Sequence, residues 1–88
     1  MFRAEKDPQA ILDYSIDWTS WLGLDTIQTS TWMVPTGITK PSDSLVGALA
    51  TVWLSGGTVG TSYIVTNRVV TAGGRTDERS ITVRVIDK

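Results

Sequence analysis

Cysteine and histidine are both absent from this chain of 88 residues. Without thiols there is no disulfide, no thiolate metal centre and no cysteine nucleophile. Without imidazole a Ser-His-Asp triad is excluded, and a zinc site would fall to carboxylates alone. Charge is sparse and balanced: eight Lys and Arg stand against nine Asp and Glu, for a net charge of −1, and no basic run occurs. Nucleic-acid partners call for clustered cations, so none is expected. No apolar stretch approaches the ~20 residues that span a bilayer, so no membrane association is expected either. Met1–Ala10 carries Arg3, Glu5, Lys6 and Asp7 where a secretory signal would have a continuous apolar run, and folding in a cytoplasm is the expectation.

What is present is alternation with a period of two, broken by turn residues. Tyr14, Ile16 and Trp18 alternate with Asp13, Ser15 and Asp17, and Ile81, Val83 and Val85 alternate with Thr82 and Arg84. Such spacing puts apolar side chains on one face of a strand and polar ones on the other. Strands are predicted over 12–18, 26–34, 38–44, 49–54, 60–71 and 79–86, with a turn or single helical turn at 19–23 that Thr19 or Ser20 caps and Gly23 ends. The stretch 38–44 contains Pro41 and belongs at an edge. Ala72-Gly73-Gly74 marks a hairpin.

Residues 1–10 read as an N-terminal arm or edge strand, and 11–88 as one all-β domain: an immunoglobulin-like (fibronectin III-like) antiparallel β-sandwich of about seven strands. Trp18 and Trp32 are placed in its core, Trp32 as the aromatic of a central strand. Tyr63, at the start of a long strand, is placed to hydrogen-bond backbone a few residues upstream. A hydrophobic content of 41% in so short a chain leaves roughly 3–5 kcal/mol of net stability, so neighbouring subunits would add to it.

Little in the sequence frames chemistry. Asp13 and Asp17 fall on the solvent face of one strand, and Asp25 has no partner at catalytic spacing. Asp25, Asp43 and the Asp77-Glu78 pair lack the spacing of a calcium loop, and no motif frames Lys6, Lys40 or Lys88 beside a serine. Gly56-Gly57 and Gly73-Gly74 precede no helix and read as turns rather than phosphate cradles. No catalytic residue, cofactor or metal site is expected.

The four tryptophans are the informative group. If Ala50, Val52 and Leu54 face inward, Trp53 faces outward, and Met33, Ile64, Val70 and Ile86 also point away from the core, while Trp21 sits on a loop. Indole and thioether groups on an outer face are typical of protein–protein interfaces. Arg75, Asp77 and Arg79, beside the last hairpin, would orient a partner through charge. The candidate interface is therefore Trp21, Trp53, Met33, Ile64, Val70, Arg75, Asp77 and Arg79. Two other readings stay open: scattered surface hydrophobes with no partner, and a sugar-stacking platform of Trp21 and Trp53.

Four elements in fixed order complete the reading: Lys6-Asp7-Pro8; Asp13-Tyr14 through Asp17-Trp18 to Trp21-Leu22; Trp53-Leu54 to Gly56-Gly57; and Gly74-Arg75 through Asp77 to Arg79. This pattern resembles a family of small proteins of tailed phages and prophages described as fibre–tail adaptors. The resemblance implies a non-enzymatic virion structural protein with an immunoglobulin-like fold. It implies synthesis in the host bacterial cytoplasm and a place in the tail or neck of the virion. It also implies several copies per particle and other virion proteins as partners. The alternative is a capsid decoration or a host-surface or carbohydrate-binding module.

Overall fold

The computed structural model describes residues 2–87, with Phe2 and Arg3 described by their backbone only. Seven strands and one short helix follow in order: β1 (Phe2–Lys6), β2 (Leu12–Asp17), α1 (Thr19–Leu22), β3 (Ile27–Met33), β4 (Ile38–Val46), β5 (Leu49–Gly56), β6 (Ser62–Thr71) and β7 (Thr76–Val85). They form a four-stranded sheet in the order β1-β7-β6-β3 and a three-stranded sheet in the order β2-β5-β4, packed as a sandwich. Strands 3, 6 and 7 on one layer and 2, 5 and 4 on the other reproduce the strand order of immunoglobulin-type sandwiches.

The alternation read from the sequence is the alternation of burial. Ala50, Val52 and Leu54 of β5, Val65 and Val69 of β6, and Ile81, Val83 and Val85 of β7 are buried between the layers. Trp18 and Trp32 are buried as expected. β3 is the edge of its sheet, however, so Trp32 lies on an edge strand rather than a central one. The fold also departs from a wholly antiparallel sandwich: β1 runs parallel to β7, from Phe2 opposite Ile81 to Lys6 opposite Val85. The first segment is too short and polar to show by alternation that its inward residue at the sandwich end is a lysine. Lys6 is fully buried. Its ammonium donates to the carbonyls of Asp7 and Gly56, at 2.8 Å each. Burial pushes its pKa down, and the nearby Asp7 charge opposes that shift. β4 runs on to Val46, and Pro41 is absorbed by an irregularity between Thr39 and Ser42.

One buried polar chain joins the layers. The Trp18 indole N–H donates to Asn67 Oδ1 at 2.9 Å, and Asn67 Nδ2 donates to Ser30 Oγ and to the Thr31 carbonyl. Trp18 and Asn67 are both wholly buried. At the far end the Tyr63 hydroxyl accepts the Thr58 N–H at 2.9 Å, the upstream bond expected of a tyrosine at this corner. Glycines make room for it. A Cβ on Gly57 would stand 2.5 Å from Val85 Cγ2 and 3.4 Å from the Tyr63 ring.

Asn67→Leu keeps the number and branching of the side-chain heavy atoms but strands the Trp18 N–H inside the sandwich. A buried donor without an acceptor costs about 1–3 kcal/mol. The urea midpoint should fall accordingly; an unchanged midpoint would show that the bond contributes nothing. Gly56 and Gly57 both have positive φ, but only Gly57 lacks space for a Cβ. Gly57→Ala should therefore lower the melting temperature more than Gly56→Ala. Equal losses would show that backbone conformation alone decides at this turn.

Candidate functional site

The end of the sandwich that carries α1 is built around two cations on two indoles. Asp17 Oδ1 accepts both the N–H and the hydroxyl of Thr19, at 2.9 and 2.5 Å, and so starts the helix. The capping side chain is thus that of Asp17 rather than of Thr19 or Ser20, and Trp18 occupies the N-cap position. The Thr19 hydroxyl, followed by its N–H, holds the Asp17 carboxyl below the usual carboxylate range. Gly23, at φ 61°, ends the helix as expected. The single helical turn brings Trp21 edge-on to Trp18, with ring centroids 5.2 Å apart.

Arg75, from the β6–β7 hairpin, closes over this turn. Its guanidinium lies 4.4 Å from the Trp21 ring centroid. It donates to the carbonyls of Trp21 and Leu22, at 3.2 and 2.8 Å, satisfying backbone acceptors that a short helix leaves open. Its Nε donates to Asp25 Oδ2 at 3.2 Å. Asp25 also accepts the N–H groups of Thr26 and Gly73, at 2.8 and 3.0 Å. A Cβ on Gly73 would stand 2.8 Å from the Asp25 carboxylate, so this close approach requires glycine. The Thr71 hydroxyl, with the Thr26 N–H and Arg75, lowers the Asp25 pKa from 3.8 to about 2. Arg79 lies 4.2 Å above the Trp18 ring and donates to the Asp17 carbonyl.

This clamp fixes the loop between α1 and β3, and beside the loop lies a groove of about 310 Å³. Its walls are Leu22, Gly23, Asp25, Thr26 and Ile27 on one side and Leu45, Gly47 and Ala48 of the β4–β5 hairpin on the other. Large apolar side chains stand exposed at this end: Leu24 wholly, Val46 at 72% and Leu49 at 42%. Val46 and Leu49 are cross-strand partners on the outer face of the three-stranded sheet.

The residues singled out from the sequence do not form one surface. Trp53 is half-buried on the outer face of the three-stranded sheet, between Asp13 and Ser42. Met33 and Ile64 lie exposed on the outer face of the other sheet, and Val70 is half-buried there some way along β6. Trp21 is half-buried against the core, under Arg75. Arg75 is paired with Asp25 and the carbonyls of Trp21 and Leu22, the exposed Arg79 donates to the Asp17 carbonyl, and Asp77 is exposed. Arg75 covers one face of the Trp21 ring. Leu24, Val46 and Leu49 were missed. An isolated apolar residue in a turn carries no periodic signal, and only the fold sets Val46 and Leu49 beside the groove.

Residues 6–84 match the family described as Podophage GP4 fiber-tail adaptor protein gp77. No curated protein matches the chain.

A carboxyl whose pKa is lowered on folding stabilises the fold fully above its unfolded pKa, and that contribution is lost as pH falls through the folded value. For Asp25 the window runs from 3.8 down to about 2. The melting-temperature gap between the wild type and Asp25→Asn should be widest near neutrality and close across that window. A gap that is constant with pH would show that the carboxylate charge is not what Arg75 and Thr71 hold.

Proposed function

Starting from the chain's membership of the podophage fibre–tail adaptor family, to which the match over residues 6–84 assigns it, we propose that it is a non-enzymatic virion module that joins tail or neck components by protein–protein contact. Its docking surface, in this reading, is the α1 end of the sandwich. The observation that carries the proposal is Leu24. This aliphatic side chain is wholly exposed, yet the loop that presents it is held by the Arg75–Asp25 clamp beside an apolar groove. A rigid apolar projection next to a preformed cleft loses little conformational entropy on docking. Leu24, Val46 and Leu49 stand together at this end, whereas the other exposed apolar residues, Ile11, Leu12, Met33, Val59 and Ile64, are spread over the rest of the molecule.

The surface extends from the groove along β5. Leu49, Thr51 and Trp53 share one outer face, with Val46, Ser44 and Ser42 opposite them on β4. Trp53 is the aromatic anchor of this stretch, and the acids Asp13 and Asp17 line its β2 side. A partner with apolar side chains at the groove and basic groups toward β2 fits this surface.

Because Leu24 and Val46 point into solvent, Leu24→Asp and Val46→Asp should leave the melting temperature nearly unchanged. In co-purification with the tail components of the same phage, each should abolish capture, and Trp53→Ala should weaken it. Capture that survives both aspartates would move the contact away from this end.

A further inference from the structure

Four strands bound the two sheets, and three of those edges are blunted against further pairing. β4 carries Pro41 at its irregularity and an ion pair between Lys40 and Asp43. β2 presents Asp13 and Asp17, and β1 is only five residues long. Proline, charge, irregularity and shortness are the means by which proteins keep sheet edges from associating. β3 has neither proline nor charge in its seven residues, Ile27 to Met33, and its irregularity is confined to its first residues, between Ile27 and Thr29. Isoleucine, threonine and tryptophan also favour the strand conformation.

The backbone of β3 is poised at that edge. The Thr31 carbonyl accepts Asn67 Nδ2 and therefore points toward β6. Since successive residues of a strand turn their N–H and C=O groups to opposite sides, those of Ser30 and Trp32 point to the open side.

From this edge we infer that β3 pairs antiparallel with β3 of a second copy of the chain, about a two-fold axis, joining two four-stranded sheets into one of eight. A two-fold contact sets a strand antiparallel against itself, so residues equidistant from the axis face each other. Self-pairing of β2 would bring Asp13 and Asp17 against aspartates. β3 carries no charge at all, and with the axis at Ser30 it sets Thr29 across from Thr31 on the outer face, a favourable cross-strand pairing. Met33, 41% exposed on that same face, becomes covered at the seam. The pairing does not depend on what docks in the groove at the α1 end, so the two can fail separately.

Sedimentation equilibrium of the full chain tests it. The wild type should be a dimer. Thr31→Lys, which places a charge on each side of the seam, should be a folded monomer by circular dichroism and melting temperature. Thr29→Lys repeats the test two residues away in case the first variant does not fold. Ser44→Lys, the same change on the β4 edge, should leave the dimer intact. A wild-type monomer at the highest soluble concentration overturns the inference. So does a dimer that survives the β3 lysines, or one that Ser44→Lys also dissolves.

Discussion

A buried indole N–H is costly to leave unpaired, and much of this fold is arranged around the acceptor that Trp18 finds, whereas the Trp32 Nε1 has none among the described residues. Asn67, on β6, takes that proton and passes its own two to β3, so one side chain ties the helical turn, the central strand and the edge strand together. Replacing water by a single protein partner at this depth makes the position of Trp18 specific, since any shift leaves a donor unmet. With Trp18 fixed, Trp21 must stand one turn away, against its edge, and Arg79 and Arg75 can settle on the two rings. Cation–π contact at such half-exposed sites is modest in energy, but here it coincides with hydrogen bonds to backbone carbonyls that have no other partner in the helix.

The result is a division of labour between the two ends. At one end Tyr63 closes a corner through Thr58 and is packed by glycines. At the other, a loop with almost no regular structure is held by arginine and aspartate from segments fifty residues apart, and it presents an aliphatic side chain to solvent. Ordering a loop costs conformational entropy. That cost is met within the monomer, by the hydrogen bonds of Arg75 and Asp25.

The central strands were legible because their two faces differ. β6 and the second half of β7 alternate, and their burial follows the alternation; in β5 Ala50, Val52 and Leu54 are buried on the inner face, although the outward Thr51 is buried as well. Tyr63 was legible through its place after a glycine turn, and Gly23 through the helix it ends. What stayed hidden depended on distance along the chain or on chemistry that breaks pattern. Lys6 is charged and inside, because two carbonyls meet its ammonium. Asp25 looked solvated, because its partners lie beyond residue 70. The proposed interface scattered over both outer faces, because alternation reports which side of a strand a residue occupies and not which sheet the strand joins.

The parallel alignment of the first and last strands has a mechanical corollary. Tension applied between residue 2 and the end of β7 draws the two strands past each other along their length. The ladder from Phe2–Ile81 to Lys6–Val85 is then loaded in shear, all rungs at once, instead of being peeled open one rung at a time. The Lys6 ammonium, bonded to Gly56 in the opposite layer, acts as a bolt across the same joint. A sandwich whose terminal strands pair in this way resists extension along that axis more than one whose terminal strands would unzip.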